Sequence, residues 1–211
     1  MPSQGDNTGD TPLVDYAKIY IKDKYNKPGE VFCGLIHRID RPVSGIVILA
    51  KTSKCLTRMN EIFKERQVEK TYWAVVKNKP EHESANLVHW LLRNTKVNVT
   101  RAFNLEKKDT QRAELSYQLI KNEGGFNLLE VKPITGRTHQ IRSQLSAIKC
   151  PIVGDVKYGY PEPNADRSIH LHARKINFSH PVQGDKMEIT APLPTNSIWK
   201  GFEDKNNKKT A

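Results

Sequence analysis

The segment His37-Arg38-Ile39-Asp40-Arg41-Pro42 carries more chemistry per residue than any other in this 211-residue sequence. Asp40 has a guanidinium on either side, and nearby positive charge keeps a carboxylate ionised well below neutral pH. Such an aspartate suits a nucleophile or an electrostatic anchor and is a poor general acid. The plain alternative is an Arg-Asp-Arg salt-bridge loop on the surface, which contributes little to stability. Thr135-Gly136-Arg137-Thr138-His139-Gln140-Ile141-Arg142 is the second loaded segment. Thr135 or Thr138 can cap a helix whose free N–H groups attract anions, with Arg137 at that end. Arg142, one turn on, can help hold a phosphate or pair with a carboxylate from another loop. The alternative is an ordinary capped helix with solvated arginines. In Lys70-Thr71-Tyr72-Trp73 a cation precedes two aromatics, which can stack on nucleobases or simply fill a core.

Other chemical signatures are weak. Neither Gly-x-x-x-x-Gly-Lys-Ser/Thr nor Gly-x-Gly-x-x-Gly occurs, so nucleotide-cofactor folds gain no support. His170-x-His172 places two imidazoles on one strand face, but no cysteine or acid completes a familiar metal spacing, and no metal is expected.

The elements that position these residues follow from periodicity. Leu13, Tyr16, Ala17, Tyr20 and Ile21 predict a helix over about residues 12–24, with Thr11 as cap and Pro12 in its first position. Two apolar stretches, Val31–Ile36 and Ile46–Ala50, flank the His37–Pro42 knot, which reads as a loop on a rigid scaffold. Ser53 can cap a second helix with Leu56, Met59, Ile62 and Phe63 in one stripe. Alternation predicts strands at Thr71–Lys77 and Ala113–Leu119; Phe126–Val131 reads as another strand, followed by a third helix carrying Ile141, Leu145 and Ile148 and by late strands at Leu171–Phe178 and Lys186–Ala191. Residues 78–112, polar except for Leu87–Leu92, read as hairpin or loop structure. Strands that outnumber helices without regular alternation place the chain in the α+β class with a mixed or antiparallel sheet.

Composition bounds the partners. There are 34 Lys and Arg against 23 Asp and Glu, a net charge of +11, which suits a polyanion or a merely solvated basic surface. The longest apolar run, Gly45–Ala50, falls far short of the roughly 18–20 residues of a membrane span. Cys33, Cys55 and Cys150 are odd in number and lack Cys-x-x-Cys spacing, as expected of reduced thiols in a cytoplasm.

Together these segments resemble the RluA-type family of pseudouridine synthases. His37-Arg-Ile-Asp-Arg-Pro-Val-Ser-Gly45 is similar to that family's signature, usually His-Arg-Leu-Asp-Arg-x-Thr-Ser-Gly. Lys70–Val76 resembles its tyrosine strand, Thr135–Arg142 its arginine motif, Pro151–Asp155 with Tyr158-Gly159 the next loop, and Leu171–Pro181 a late strand. The resemblance implies the pseudouridine synthase catalytic fold: a mixed, mostly antiparallel sheet with a central cleft and flanking helices. It also implies isomerisation of uridine to pseudouridine in structured ribosomal or transfer RNA, without metal or organic cofactor; a monomer is expected. By position, Asp40 is the nucleophile, attacking ribose C1′ or base C6. Tyr72 packs on the target base, Arg137 pairs with Asp40, and Arg38 fills the gap left by the flipped base. His37, Arg41, Gln140 and Arg142 are assigned supporting or substrate-binding roles. A non-catalytic RNA-binding or RNA-folding factor on the same scaffold is the competing reading. Glycoside hydrolysis would need a second placed carboxylate.

The expected organisation is a disordered segment 1–10, one catalytic domain over 11–203 and a disordered tail 204–211. Ile39 and Val43 stand where relatives usually carry Leu and Thr. Family members usually have a strand, an Asn-Lys-Pro type segment and often a small RNA-binding domain before the signature. The short stretch before His37 therefore implies a missing first strand, lowered stability or self-association, and RNA contact through the catalytic domain's own basic face.

Overall fold

The computed structural model describes residues 2–3, 5, 9–195 and 197–203. The tail expected to be disordered, 204–211, lies outside them, as do Met1, Gln4 and residues 6–8 of the expected mobile N-terminus. The elements run α1 (Leu13–Lys24), β1 (Gly34–Leu35), β2 (Ser44–Gly45), β3 (Leu49–Ala50), α2 (Ser53–Lys64), β4 (Glu69–Val76), β5 (Ser84–Asn94) and β6 (Val99–Phe103). They continue with β7 (Gln111–Glu123), β8 (Phe126–Pro133), α3 (Gln140–Ala147), a 3-10 turn (Val156–Tyr158), β9 (Leu171–Ser179), β10 (Lys186–Thr190) and α4 (Ser197–Lys200). None of the described helices is long and apolar enough to cross a membrane.

The chain forms two compact units. The first comprises Met1–Arg41, Ile46–Glu69 and Ile176–Ile189; the second comprises Pro42–Gly45, Lys70–Lys175 and Thr190–Ala211.

In the first unit, β1 and β3 pair antiparallel, Gly34 opposite Ala50 and Leu35 opposite Leu49. A Cβ on Gly34 would stand 2.7 Å from Leu56 Cδ2, so the missing side chain is what lets α2 approach this ribbon. The expected α2 stripe is present: Met59 is 2% exposed, and Leu56, Ile62 and Phe63 are half-buried. Its cap differs from the expectation. Thr52, extended at φ −144°, accepts the Cys55 N–H on its hydroxyl at 3.1 Å, which makes Ser53 the first helical residue. In α1 the cap position belongs to Pro12, not Thr11, and no side chain closes the end. No α1 residue is fully buried.

In the second unit the strand order is β9-β4-β8-β7-β5-β6. The β4–β8, β8–β7, β7–β5 and β5–β6 pairs are all antiparallel. β2 adds to β9 in parallel, Ser44 opposite His172 and Gly45 opposite Ala173. The sheet is thus mixed and mostly antiparallel, as the α+β expectation required. The uncertain stretch 78–112 turns out to hold the long strand β5 and its hairpin partner β6. Within β5, Leu87, His89 and Leu91 face the core side opposite Leu115, Ala113 and Gln111. Its polar residues gather at the ends and the turn, which hides the alternation in the sequence. On that face α3 buries Ile141 and Leu145, and Gln144 Nε2 donates to the Leu87 carbonyl at 3.2 Å. A second cluster joins Val75, Leu128 and Val153 to Trp199 and Phe202.

Gly45 is constrained twice. Its φ is +111°, and a Cβ there would stand 2.3 Å from the Ala173 carbonyl oxygen. Gly45→Ala is expected to lower stability by about 2–3 kcal/mol through strained φ and the clash. The midpoint of denaturant unfolding reads this out, and an unchanged midpoint would refute it.

Candidate functional site

The sequence-predicted residues divide between the units. His37, Arg38, Asp40 and Arg41 belong to the first; Tyr72, Arg137, Gln140 and Arg142 belong to the second.

In the first unit the β1–β3 ribbon fixes the entry to the Asp40 loop. Ile36 N–H donates to the Ile48 carbonyl at 3.3 Å, and Ile48 N–H donates to His37 Nε2 at 3.1 Å. An imidazole that accepts at Nε2 is the Nδ1–H neutral tautomer. Its ring also stacks on Phe63 with centroids 5.1 Å apart and planes 17° from parallel. His37 therefore holds the loop in place. Asp40 is half-buried and Arg38 exposed. Arg41 pairs with Asp10, an exposed contact worth little by itself.

In the second unit Gln140 organises the arginine motif. Its Oε1 accepts the Thr135 hydroxyl at 2.8 Å and the Arg137 N–H at 2.9 Å, while its Nε2 donates to the Glu114 carbonyl at 3.0 Å. Thr135 Oγ in turn accepts the Glu114 N–H at 2.9 Å. Neither Thr135 nor Thr138 caps α3; the cap position is His139 in a left-handed conformation, φ 53°, with no side-chain cap. The amide of Gln140 does the work assigned to a threonine. Arg137 Nε donates to the Arg112 carbonyl at 3.3 Å, which fixes the side chain along its length and leaves the exposed terminal nitrogens for other partners. Tyr72 sits half-buried on β4, opposite Val131. Trp73, on the other face, is covered by the Arg174 guanidinium at 4.7 Å, so its ring is packed rather than open for a base.

Arg142 takes the carboxylate alternative. It is 4% exposed, and its Nε and Nη2 donate to Asp155 Oδ2 and Oδ1 at 2.7 and 2.8 Å. Its guanidinium lies 4.8 Å from the Tyr158 ring centre. The Tyr158 hydroxyl accepts the Thr100 N–H at 2.8 Å and shares a hydrogen bond with His139 Nδ1 at 2.8 Å. Burial pushes the Tyr158 phenol pKa up, which keeps the phenol neutral. The buried pair removes Arg142 from the groups that can meet a substrate and makes it the anchor of α3. Asp155 and Tyr158 escaped functional assignment because nothing local in the sequence shows which arginine a distant carboxylate will meet.

The Ser44–His172 contact was also missed. Ser44 Oγ and His172 Nδ1 are 2.8 Å apart, and His172 is 2% exposed. Burial, helped by the nearby Arg174 charge, lowers the His172 pKa to about 4. The neutral ring is thus favoured in the folded state, so its contribution is complete above pH 6.5 and is lost as pH falls toward 4. Stability should decline by about 1.4 kcal/mol per pH unit through that window on this account alone. Unfolding free energies measured from pH 7 to 4.5 check it, and a His172→Asn variant with the wild-type slope would contradict it. Among the described residues, no group of three or more His, Cys, Asp or Glu could hold a metal ion.

Comparison with known proteins adds three findings. The profile of a family described as RNA pseudouridylate synthase matches residues 2–147. Ribosomal large subunit pseudouridine synthase C of Rickettsia prowazekii is 32% identical over 162 residues, 76% of this chain and 53% of that protein. The protein of the same name from Vibrio cholerae is 32% identical over 173 residues, 79% of this chain and 54% of its own. The chain thus spans little more than half the length of these curated relatives. Among solved structures, Human RNA Pseudouridylate Synthase Domain Containing 4 superposes with a TM-score of 0.76 at 24% identity, covering 92% of this chain and 82% of its own. Human RNA Pseudouridylate Synthase Domain Containing 1 gives 0.68 at 25%, covering 83% and 74%.

Proposed function

Because the chain belongs to the RNA pseudouridylate synthase family, we propose that it is an enzyme converting uridine to pseudouridine in RNA, with ribosomal RNA as the first substrate to test. The supporting observation is the ordered set Asp40, Tyr72 and Arg137 in a chain of that family, each on a segment held by its own local bonds. The names of the curated relatives favour large-subunit ribosomal RNA over transfer RNA.

In this reading Asp40 supplies the attacking carboxylate, at ribose C1′ or base C6. The C1′–N1 bond breaks, the uracil turns, C1′–C5 forms, and the bond from the Asp40 carboxylate to C1′ or C6 breaks to return the free carboxylate; C5 gives up its proton to solvent and N1 acquires one. No redox partner is required. A base within a stack is out of reach of a side chain, so the nucleotide must flip out at a cost of a few kcal/mol. Arg38, exposed beside Asp40, would occupy the vacated space. Tyr72 would pack on the uracil and help remove the C5 proton, and Arg137, steadied by Gln140 and Arg112, would orient the carboxylate. His37 and Gln140 hold the two motif segments in shape. All three cysteines are free thiols, which suits a reducing cytoplasm.

Mapping pseudouridines in total RNA from cells with and without the gene tests this reading. One or a few uridines in ribosomal RNA should lose modification when the gene is deleted and regain it on complementation. Identical maps would overturn it.

A further inference from the structure

Lys70 opens the second unit's part of β4, two residues before Tyr72 and so on the same face of the strand. Its Nζ lies 3.7 Å from the point where a Cβ on Gly136 would stand. The ammonium is therefore set against the loop that Gln140 clamps and from which Arg137 extends. Lys70 is half-buried, and it makes no hydrogen bond or ion pair with any described residue. Arg142, the fully buried guanidinium of this unit, has Asp155 in bidentate contact. An ammonium that has lost water without gaining a counter-ion carries a free-energy cost that an arriving anion removes. The next residue of that loop, Arg137, is a second cation, and Arg112, whose carbonyl Arg137 Nε reaches, already engages Glu114 at 2.6 Å. Burial accordingly lowers the Lys70 pKa below its usual 10.5.

We propose that Lys70 is a phosphate-binding residue that holds the RNA backbone beside the target nucleotide, against the Gly136–Arg137 loop. This rests on the reading of the chain as an RNA-modifying enzyme. The phosphodiester is the anion such a substrate carries before reaction, so Lys70 acts on binding and register. Gly136 offers no side chain to obstruct the approach. Arg137, one residue on, remains free to serve the reacting carboxylate.

The test uses the full chain and transcribed large-subunit ribosomal RNA tritiated at uridine C5. In Lys70→Met the dissociation constant should rise about tenfold near 0.1 M salt, and the slope of log affinity against log salt should shrink by about 0.7–0.9, the share of one phosphate. Turnover at saturating RNA should stay within about twofold. Lys70→Arg, which keeps the charge, should retain the wild-type slope. In the wild type the same part of the slope should vanish as pH rises toward the lowered pKa, below the range where an ordinary lysine discharges. This native-protein measurement decides the matter if Lys70→Met fails to fold. A folded Lys70→Met with the wild-type slope, or one that loses turnover at unchanged affinity, overturns the proposal. Absence of tritium release by the wild type would instead defeat the enzymatic reading, with the salt slope still reporting on Lys70.

Discussion

Asp155→Asn is expected to destabilise the protein by about 3–5 kcal/mol, the usual consequence of removing one partner from a buried ion pair. Both carboxylate oxygens of Asp155 are engaged by Arg142, and the two residues are 1% and 4% exposed. The amide would offer one acceptor and one donor where two acceptors are needed, and would leave a guanidinium stranded in the interior. The damage should reach function, because Arg142 is the third residue of α3 and Tyr158 binds His139 and Thr100 from the same turn. A folded fraction of Asp155→Asn should therefore show a loosened Arg137 loop and reduced activity. Replacing both charges with apolar residues of similar volume, as in Arg142→Met with Asp155→Leu, should recover a large part of the stability, since a buried pair has little net value over good packing. Chemical denaturation of the single and double variants measures this. A single variant with the wild-type midpoint would show that the pair does not anchor α3.

Asp40→Asn is the other large effect. The amide keeps the shape of the side chain but is no nucleophile. Turnover should fall by a factor on the order of 10⁴ or more, equivalent to about 5.5 kcal/mol of barrier. RNA affinity should be unchanged or slightly tighter, because the substitution removes a negative charge that would repel RNA phosphates. The combination separates a chemical role from a structural one: an aspartate that merely neutralised its arginines would alter stability or binding and leave residual turnover high.

Some of this was open to reading in the sequence and some was not, and the division has physical causes. The α2 stripe, the alternation in β4 and β7 and the order of the motif segments are local patterns, and the structure contains them. Caps depend on the backbone angles of single residues, which is why Thr52 and Pro12 replaced Ser53 and Thr11 at the helix starts. The β5–β6 hairpin was blurred because polar side chains gather at the ends of β5 and in the turn, while its middle, Leu87 to Leu92, carries apolar residues on both faces. Long-range partners were the least accessible. Arg142 reads like a substrate contact until Asp155, thirteen positions away, is seen to bind it. Ser44 reads as a family residue until His172, at a separation of 128, fixes it to β9. The Arg41–Asp10 pair, 31 positions apart, likewise has no local signal.

The central claim, that this chain makes pseudouridine through Asp40, is tested most directly by tritium release from ribosomal RNA labelled at uridine C5. Wild type and Asp40→Asn should be compared at equal concentration, with matched unfolding midpoints and matched RNA affinity. The wild type should release tritium in proportion to the pseudouridine formed, and Asp40→Asn should release none above background. Equal release by the two proteins, or no release by folded wild type from any RNA, would contradict the account.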